Sequence, residues 1–228
     1  MKTHILLAMT MLFIASTTAQ RNVEKVEAVS TGQDIFLNFQ FAQDIQVEQW
    51  NKNEVVVKAS VNIDEGEGNN DFSLKTENSS GRLKIASDFG DYFKKNRNRN
   101  NCYNNTEINY TVYIPKGANL KVKSISGSVA ADSFIGNLTT DLISGNVTIK
   151  NYDGALKLKT ISGDVDVTMN KAKINASTLT GTIYSDLDIN KDEHRNSTGS
   201  NKIIGTINNG NELIVMETIS GNIYMRKG

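Results

Sequence analysis

Leu156-Lys157-Leu158-Lys159-Thr160-Ile161-Ser162-Gly163-Asp164-Val165-Asp166-Val167 is the stretch on which the reading of the whole chain turns. Leu156, Leu158 and Thr160 alternate with lysines, as they do when successive side chains of a strand point to opposite faces. Ile161, Gly163, Val165 and Val167 then alternate with the opposite parity. Thr160 and Ile161 are thereby predicted to point inward together, which a strand allows only at a corner or a bulge. The same switch recurs at Ile174, Ala176 and Thr178 against Leu179, Gly181 and Ile183. It recurs again at Ile214, Met216 and Thr218 against Ile219, Gly221, Ile223 and Met225.

Around each corner the chain writes nearly one phrase. A β-branched residue or Leu is followed by Ser or Thr, Gly, any residue, and Val or Ile. Six copies carry Gly127, Gly145, Gly163, Gly181, Gly205 and Gly221, spaced 18, 18, 18, 24 and 16 residues apart. A fixed period built from strand formers is the mark of stacked repeats. The expected fold is therefore all-β: a single-stranded β-solenoid, β-helix-like, with rungs of 18 residues. Apolar residues do not recur every six positions, which rules out the hexapeptide subtype.

The six glycines read as structural, set where backbone must bend or approach closely. A phosphate-cradling role would need a following helix, and none is predicted. Ser126, Ser144, Ser162, Thr180 and Ser220 are expected to point outward as a ladder about 4.8 Å per step. Gly136-Asn137, Tyr152-Asp153-Gly154 and Asn209-Gly210-Asn211 supply turns on the other side of the rung. The polar stretch Asn190 to Ser200 makes the fifth rung longer by six residues and is expected to loop out.

Three parts are expected along the chain: 1–19, 20–118 and 119–228. The first has a lysine, an apolar run from Ile5 to Ile14 and a small-residue end at Thr17-Thr18-Ala19, the layout of a secretory signal peptide. Export to the periplasm, the cell surface or the medium follows, and no stretch is long enough for a transmembrane segment. The second is an N-terminal β region whose strands form early rungs or a cap. Its candidates are Asp34–Phe39, Asp44–Trp50, Glu54–Val61, Phe72–Thr76, Arg82–Ser87 and Asn109–Ile114. The third holds the solenoid repeats. The last rung runs almost to Gly228 with only Arg226 and Lys227 to guard its edge, so either those two charges suffice or a homodimer forms through the C-terminal solenoid edge.

The remaining chain carries 24 basic residues (25 less Lys2) against 25 acidic ones, a balance that recommends no polyanionic partner. Cys102 is the only cysteine, so no internal disulfide forms, and only His194 remains as a histidine beyond the signal. Those counts exclude most zinc sites and every His-dependent triad that does not use His194. No phosphate loop, nucleophile elbow, zincin or EF-hand spacing occurs. Catalytic residues, cofactor and metal are accordingly all expected to be none. Asp164, Asp166, Asp186 and Asp188 are outward-type carboxylates on neighbouring rungs, with the spacing strand alternation gives any solvated face. They sustain an alternative, a polysaccharide lyase or hydrolase on a β-helix. One segment breaks the mixed-charge pattern: Asp88 to Thr106 gathers Tyr92, Lys94, Lys95, Arg97, Arg99 and Tyr103 among asparagines. Basic residues interleaved with aromatics suit nucleic acid or anionic glycans. Export removes nucleic acid, leaving a glycan-binding loop beside the plain reading of a surface loop.

Tyr113-Ile114-Pro115-Lys116-Gly117-Ala118-Asn119-Leu120, leading into serial Ser-Gly-x-Val phrases, resembles the DUF4097-type family of adhesin-like β-strand repeat proteins. The resemblance covers residues 110–228, with a looser match at Asp44 to Trp50 and Glu54 to Val57. Autotransporter adhesin head domains share the architecture. The resemblance implies a non-enzymatic cell-envelope or surface protein that presents a polar strand face and loops to a glycan or protein partner. It supplies no catalytic residues. A structural spacer or envelope-stress protein is a further alternative.

Overall fold

The computed structural model describes residues 20–95, 105–192 and 201–228. The signal segment 1–19 lies outside the described residues. The strands of the N-terminal half are β1 (Arg21–Ala28), β2 (Asp34–Trp50), β3 (Glu54–Ile63), β4 (Ser73–Asn78), β5 (Arg82–Asp88) and β6 (Thr106–Pro115). The repeats supply β7 (Asn119–Ala131), β8 (Phe134–Ile135), β9 (Asn137–Ser144), β10 (Val147–Ile149), β11 (Tyr152–Asp153), β12 (Leu156–Ser162) and β13 (Val165–Met169). They continue through β14 (Ala172–Thr178), β15 (Ile183–Ser185), β16 (Asn190–Lys191), β17 (Asn201–Ile207), β18 (Leu213–Ser220) and β19 (Ile223–Lys227). Among the described residues the only α-helix is the single turn α1 (Tyr92–Lys95). The fold is all-β and repeat-built, as the period predicts.

The strands lie in two walls. One runs β4-β5-β2-β7-β9-β12-β18-β14-β17-β16. The other runs β1-β3-β6-β2-β7-β10-β13-β19-β15. The long strands β2 and β7 belong to both, because each runs through the corner as one strand and pairs on either side of it. Equivalent residues stack in exact columns. Leu120, Leu138, Leu156, Ile214 and Ile174 form one in the first wall. Val129, Val147, Val165, Ile223 and Ile183 form one in the second. All but Ile183 in these two columns are buried, and both walls contribute to one apolar core. Each such side chain contributes roughly 1.5–3 kcal/mol on burial, and only neighbouring rungs can bury it.

The N-terminal region combines parallel and antiparallel pairing. β2 is a rung, aligned residue for residue with β7 from Ile35↔Leu120 to Gln46↔Ala130 across a shift at Phe41/Asp44. Beyond it the parallel stack ends in antiparallel pairs, β4 with β5 and β3 with β6 and β1. β1 was not among the expected strands, since Arg21 to Ala28 alternates charge with only Val23 and Val26.

Two expectations about the later repeats are corrected. The phrase holding Gly205 is not a rung: β17 pairs antiparallel with β14, placing Gly205 opposite Ile174. It forms with β16 the outer end of the first wall. Residues 193–200 of the expected loop lie outside the described residues. The last repeat is not at an edge either. β18 lies between β12 and β14, and β19 lies between β13 and β15. The C-terminal rung is thus slotted into the stack, which removes the free C-terminal edge on which the homodimer was predicted. Arg226 lies against the neighbouring rung, its Nε 2.8 Å from both carboxylate oxygens of Asp166.

Candidate functional site

The corner is where repeat chemistry meets solvent. Thr160, Thr178 and Thr218 point inward and their hydroxyls donate to the carbonyls of Gly145, Gly221 and Gly163, at 2.9, 2.8 and 2.9 Å. Ser124 is buried at the same place and donates to the Phe39 carbonyl. The neighbouring rungs pass so closely that a Cβ on Gly145 would collide with the Gly127 carbonyl, and one on Gly163 with that of Gly145. Gly127 and Gly145 also sit at φ of +114° and +132°, which side chains rarely adopt. At Gly145 and Gly163 the crowding comes from the next rung rather than from the opposite wall.

The inward slot is taken by the preceding residue, Ser124, Leu142, Thr160, Thr178 or Thr218, so the residue after it turns out. This corrects the prediction that Ile161 and its equivalents point inward. Ile125, Ile143, Ile161, Ile219 and Leu179 are 42, 47, 48, 48 and 73 % exposed. The register that pairs Ser162 with Ser144 and Ser220 puts these side chains on consecutive rungs. Five aliphatic side chains at about 4.8 Å per step make a ridge roughly 19 Å long. On one flank stands the outward Ser ladder, with Ser144, Ser162 and Ser220 in register. On the other stands a charged column, Lys123, Asp141, Lys159 and Glu217, in which Lys159 and Glu217 form an ion pair. An apolar strip with a polar rim is the layout of an interaction surface.

The variable residue of each phrase has a role that spacing alone did not reveal. The amide of Asn146 donates to Ser128 Oγ at 3.3 Å, that of Asp164 to Asn146 Oδ1 at 2.8 Å, and that of Asn222 to Asp164 Oδ1 at 2.6 Å. Thr182 N donates in turn to Asn222 Oδ1 at 3.0 Å. Side-chain oxygens thereby replace ladder partners at the bend, in the spatial order of the rungs. The signal was present: every rung carries Ser, Asn, Asp or Thr there. Asp164 is engaged in this ladder and Asp166 holds Arg226, so two of the four outward carboxylates serve the stack. Asp186 and Asp188 are exposed.

The aromatic-basic segment divides. Tyr92 is buried and its hydroxyl donates to Asp64 Oδ2 at 2.7 Å. Phe93 packs edge-on to Phe41 at 5.3 Å, and Phe89 joins Phe41 and Phe72 at 5.4 and 5.5 Å. These rings close the core beside β2. Lys94 and Lys95 face solvent, and the hydrogen bond from Lys94, with its charge and that of Lys95, holds the Asp91 carboxyl below its ordinary range. Arg97, Arg99 and Tyr103 lie outside the described residues. Among the described residues no three His, Cys, Asp or Glu side chains gather as a metal-binding group, and no helix is long and apolar enough to cross a membrane.

Two facing walls of stacked repeats, capped by antiparallel pairs, define a toastrack-like all-β protein. Residues 118–226, the repeat-bearing part of the chain, match the family described as Toastrack DUF4097. Among solved structures, a "putative cell adhesion protein" from Clostridium sporogenes is 16% identical, with a TM-score of 0.59 over 91% of this chain and 100% of that one. That likeness is one of fold. A "putative adhesin" from Bacteroides fragilis is 9% identical over 92% of this chain and 99% of that one, with a TM-score of 0.26. No curated protein sequence matches the chain.

Proposed function

We propose that the protein is a non-enzymatic surface or envelope protein of adhesin type, which holds a protein partner along the aliphatic corner ridge. The single observation behind this is the ridge itself, five solvent-exposed aliphatic side chains in register on an otherwise polar corner. Burying such a strip against a partner is favourable by roughly 25 cal/mol per Å² of apolar surface, while the flanking charges and hydroxyls fix orientation. The adhesion wording attached to the C. sporogenes relative points the same way. Residues 1–19 would direct export, and 119–169 would wind as successive turns of one single-stranded coil. Lys94, Lys95, Arg97, Arg99 and Tyr103 are a second proposed contact, for a glycan, with buried Tyr92 anchoring the start of that segment. The lyase or hydrolase alternative is less favoured because Asp164 and Asp166 already have structural partners.

The test replaces Ile143 and Ile161 together by Ser and compares retention of both forms on envelope fractions. These side chains touch solvent, so folding is expected to survive, as circular dichroism would check. Lost retention with an unchanged spectrum supports the ridge. Equal retention of the two forms rules it out.

A further inference from the structure

The edge of the stack opposite the Ser-Gly corner carries a cleft that the repeat pattern itself creates. In the early rungs the turns on this side are paired: β11 lies against β8, with Phe134↔Tyr152 and Ile135↔Asp153 in register. The next turn should add a third strand to this small sheet, and it does not; β8 and β11 form a two-stranded sheet. The reason is the slotted C-terminal rung. Between Met169 and Ala172 the chain steps across β18 and β19, about two strand spacings or roughly 9.6 Å. Its turn therefore cannot lie on β11. The interposed rung enters β18 from the Asn209-Gly210-Asn211 turn, whose Gly210 packs against the backbone of Lys171 and Ala172.

What remains is a cleft of about 410 Å³, lined by Tyr152, Asp153, Lys171, Asn209, Asn211 and Glu212 among others. That volume is at the small end of small-ligand sites, roughly 300–1,000 Å³. Asp153, Asn209, Asn211 and Glu212 have no side-chain hydrogen bond or ion pair among the described residues, and all four are exposed. Asn209 sits at φ +51° and Asn208 beside it at +47°, while Asn208 Nδ2 donates to the Asn170 carbonyl at 2.6 Å and ties the turn to the cleft wall. The Tyr152 ring is half-buried and fixed, its hydroxyl donating to the Lys171 carbonyl at 3.2 Å. Burial, and then the nearby Glu212 charge, pushes that hydroxyl up to about 12, so it stays protonated and donating.

We infer that this cleft binds a neutral saccharide unit of one or two rings. Free carboxylates accept from sugar hydroxyls, asparagine amides both donate and accept, and the tyrosine ring offers an apolar surface for a pyranose face. Asp153 and Glu212 against Lys171 leave the side-chain lining one charge negative, so uronic and sialic acids are disfavoured. The site is separate from both surfaces proposed above and does not depend on either.

The experiment titrates the ¹⁵N-labelled protein with glucose, galactose, mannose, N-acetylglucosamine and chitobiose, and with galacturonic acid as the charged control. At least one neutral sugar is expected to shift the amides of residues 151–154, 168–171 and 209–212, and galacturonic acid to leave them in place. Glu212→Gln and Asn211→Ala should each weaken that binding about tenfold, the worth of one hydrogen bond, with the remaining spectrum unchanged. No shift from any neutral sugar, shifts centred elsewhere, equal shifts from galacturonic acid, or unweakened binding in both variants would each overturn the inference. The ridge test reads retention on envelope fractions and stands whichever way this one falls.

Discussion

Residues 119–169 and residues 170–228 are written with the same phrase but are not assembled in the same way. In the first region order along the chain is order in space, each rung lying on the one before it. In the second, the chain leaves Met169, lays β14 and β15 one place too far out, makes the β16–β17 hairpin, and returns to fill the gap with β18 and β19. A repeat specifies a rung and its interface with any other rung. It does not specify which rung is the neighbour. Parallel pairing of equivalent columns costs the same whichever copy supplies them, so sequence order is only one solution.

The largest effect that would sharpen this contrast is expected at the glycines. Gly145→Ala places a Cβ on the Gly127 carbonyl at a backbone conformation alanine avoids, and should cost more than about 4 kcal/mol in chemical denaturation or prevent folding. Gly205→Ala meets the Asn190 carbonyl of the outermost, two-residue strand, which can shift. About 1–2 kcal/mol is expected there. Equal costs at the two positions would mean that Gly205 is in a true rung after all.

The next effect compares the slotted rung with the end of the stack. Ile223 is buried between Val165 and Ile183, whereas Ile183 has no paired strand on its far side among the described residues. Ile223→Ala should lose about 2–5 kcal/mol and Ile183→Ala about 1 kcal/mol or less, measured the same way. If the C-terminal rung were terminal, the order of these two values would reverse.

Smallest is the difference between the inside and outside of one corner. Thr218→Val removes the donor to the Gly163 carbonyl and should cost about 1–2 kcal/mol. Ser220→Ala, two residues on and exposed, should stay within about 0.5 kcal/mol of the parent.

Much of this was legible in the residues, and the failures have physical causes. Leu156, Leu158, Thr160, Val165 and Val167 are buried as their alternation predicts, because a period of two with a polar partner admits one inward set. Ile161 departs from its expected inward position because its neighbour competes for the same slot. Thr160 takes the inward slot by satisfying the Gly145 carbonyl, so the isoleucine is turned out. The Gly205 phrase did carry a warning: its second residue is Ile204, not Ser or Thr, and it is the one copy that builds an antiparallel strand. The slotting of β18 and β19 had no such mark. The turn-side cleft follows from that slotting, so it too was invisible to pattern reading, although its Asn209-Gly210-Asn211 turn was not.

Nuclear Overhauser contacts across the second wall test the central claim most directly. Asp166, Tyr224 and Tyr184 occupy one register position on β13, β19 and β15, and the two tyrosine rings stack at 5.2 Å. Strand neighbours sit about 4.8 Å apart and next-nearest ones roughly 9.6 Å. The account predicts backbone contacts from Asp166 to Tyr224 and from Tyr224 to Tyr184, and none between Asp166 and Tyr184. A direct Asp166–Tyr184 contact, with Tyr224 at the rim, would contradict it.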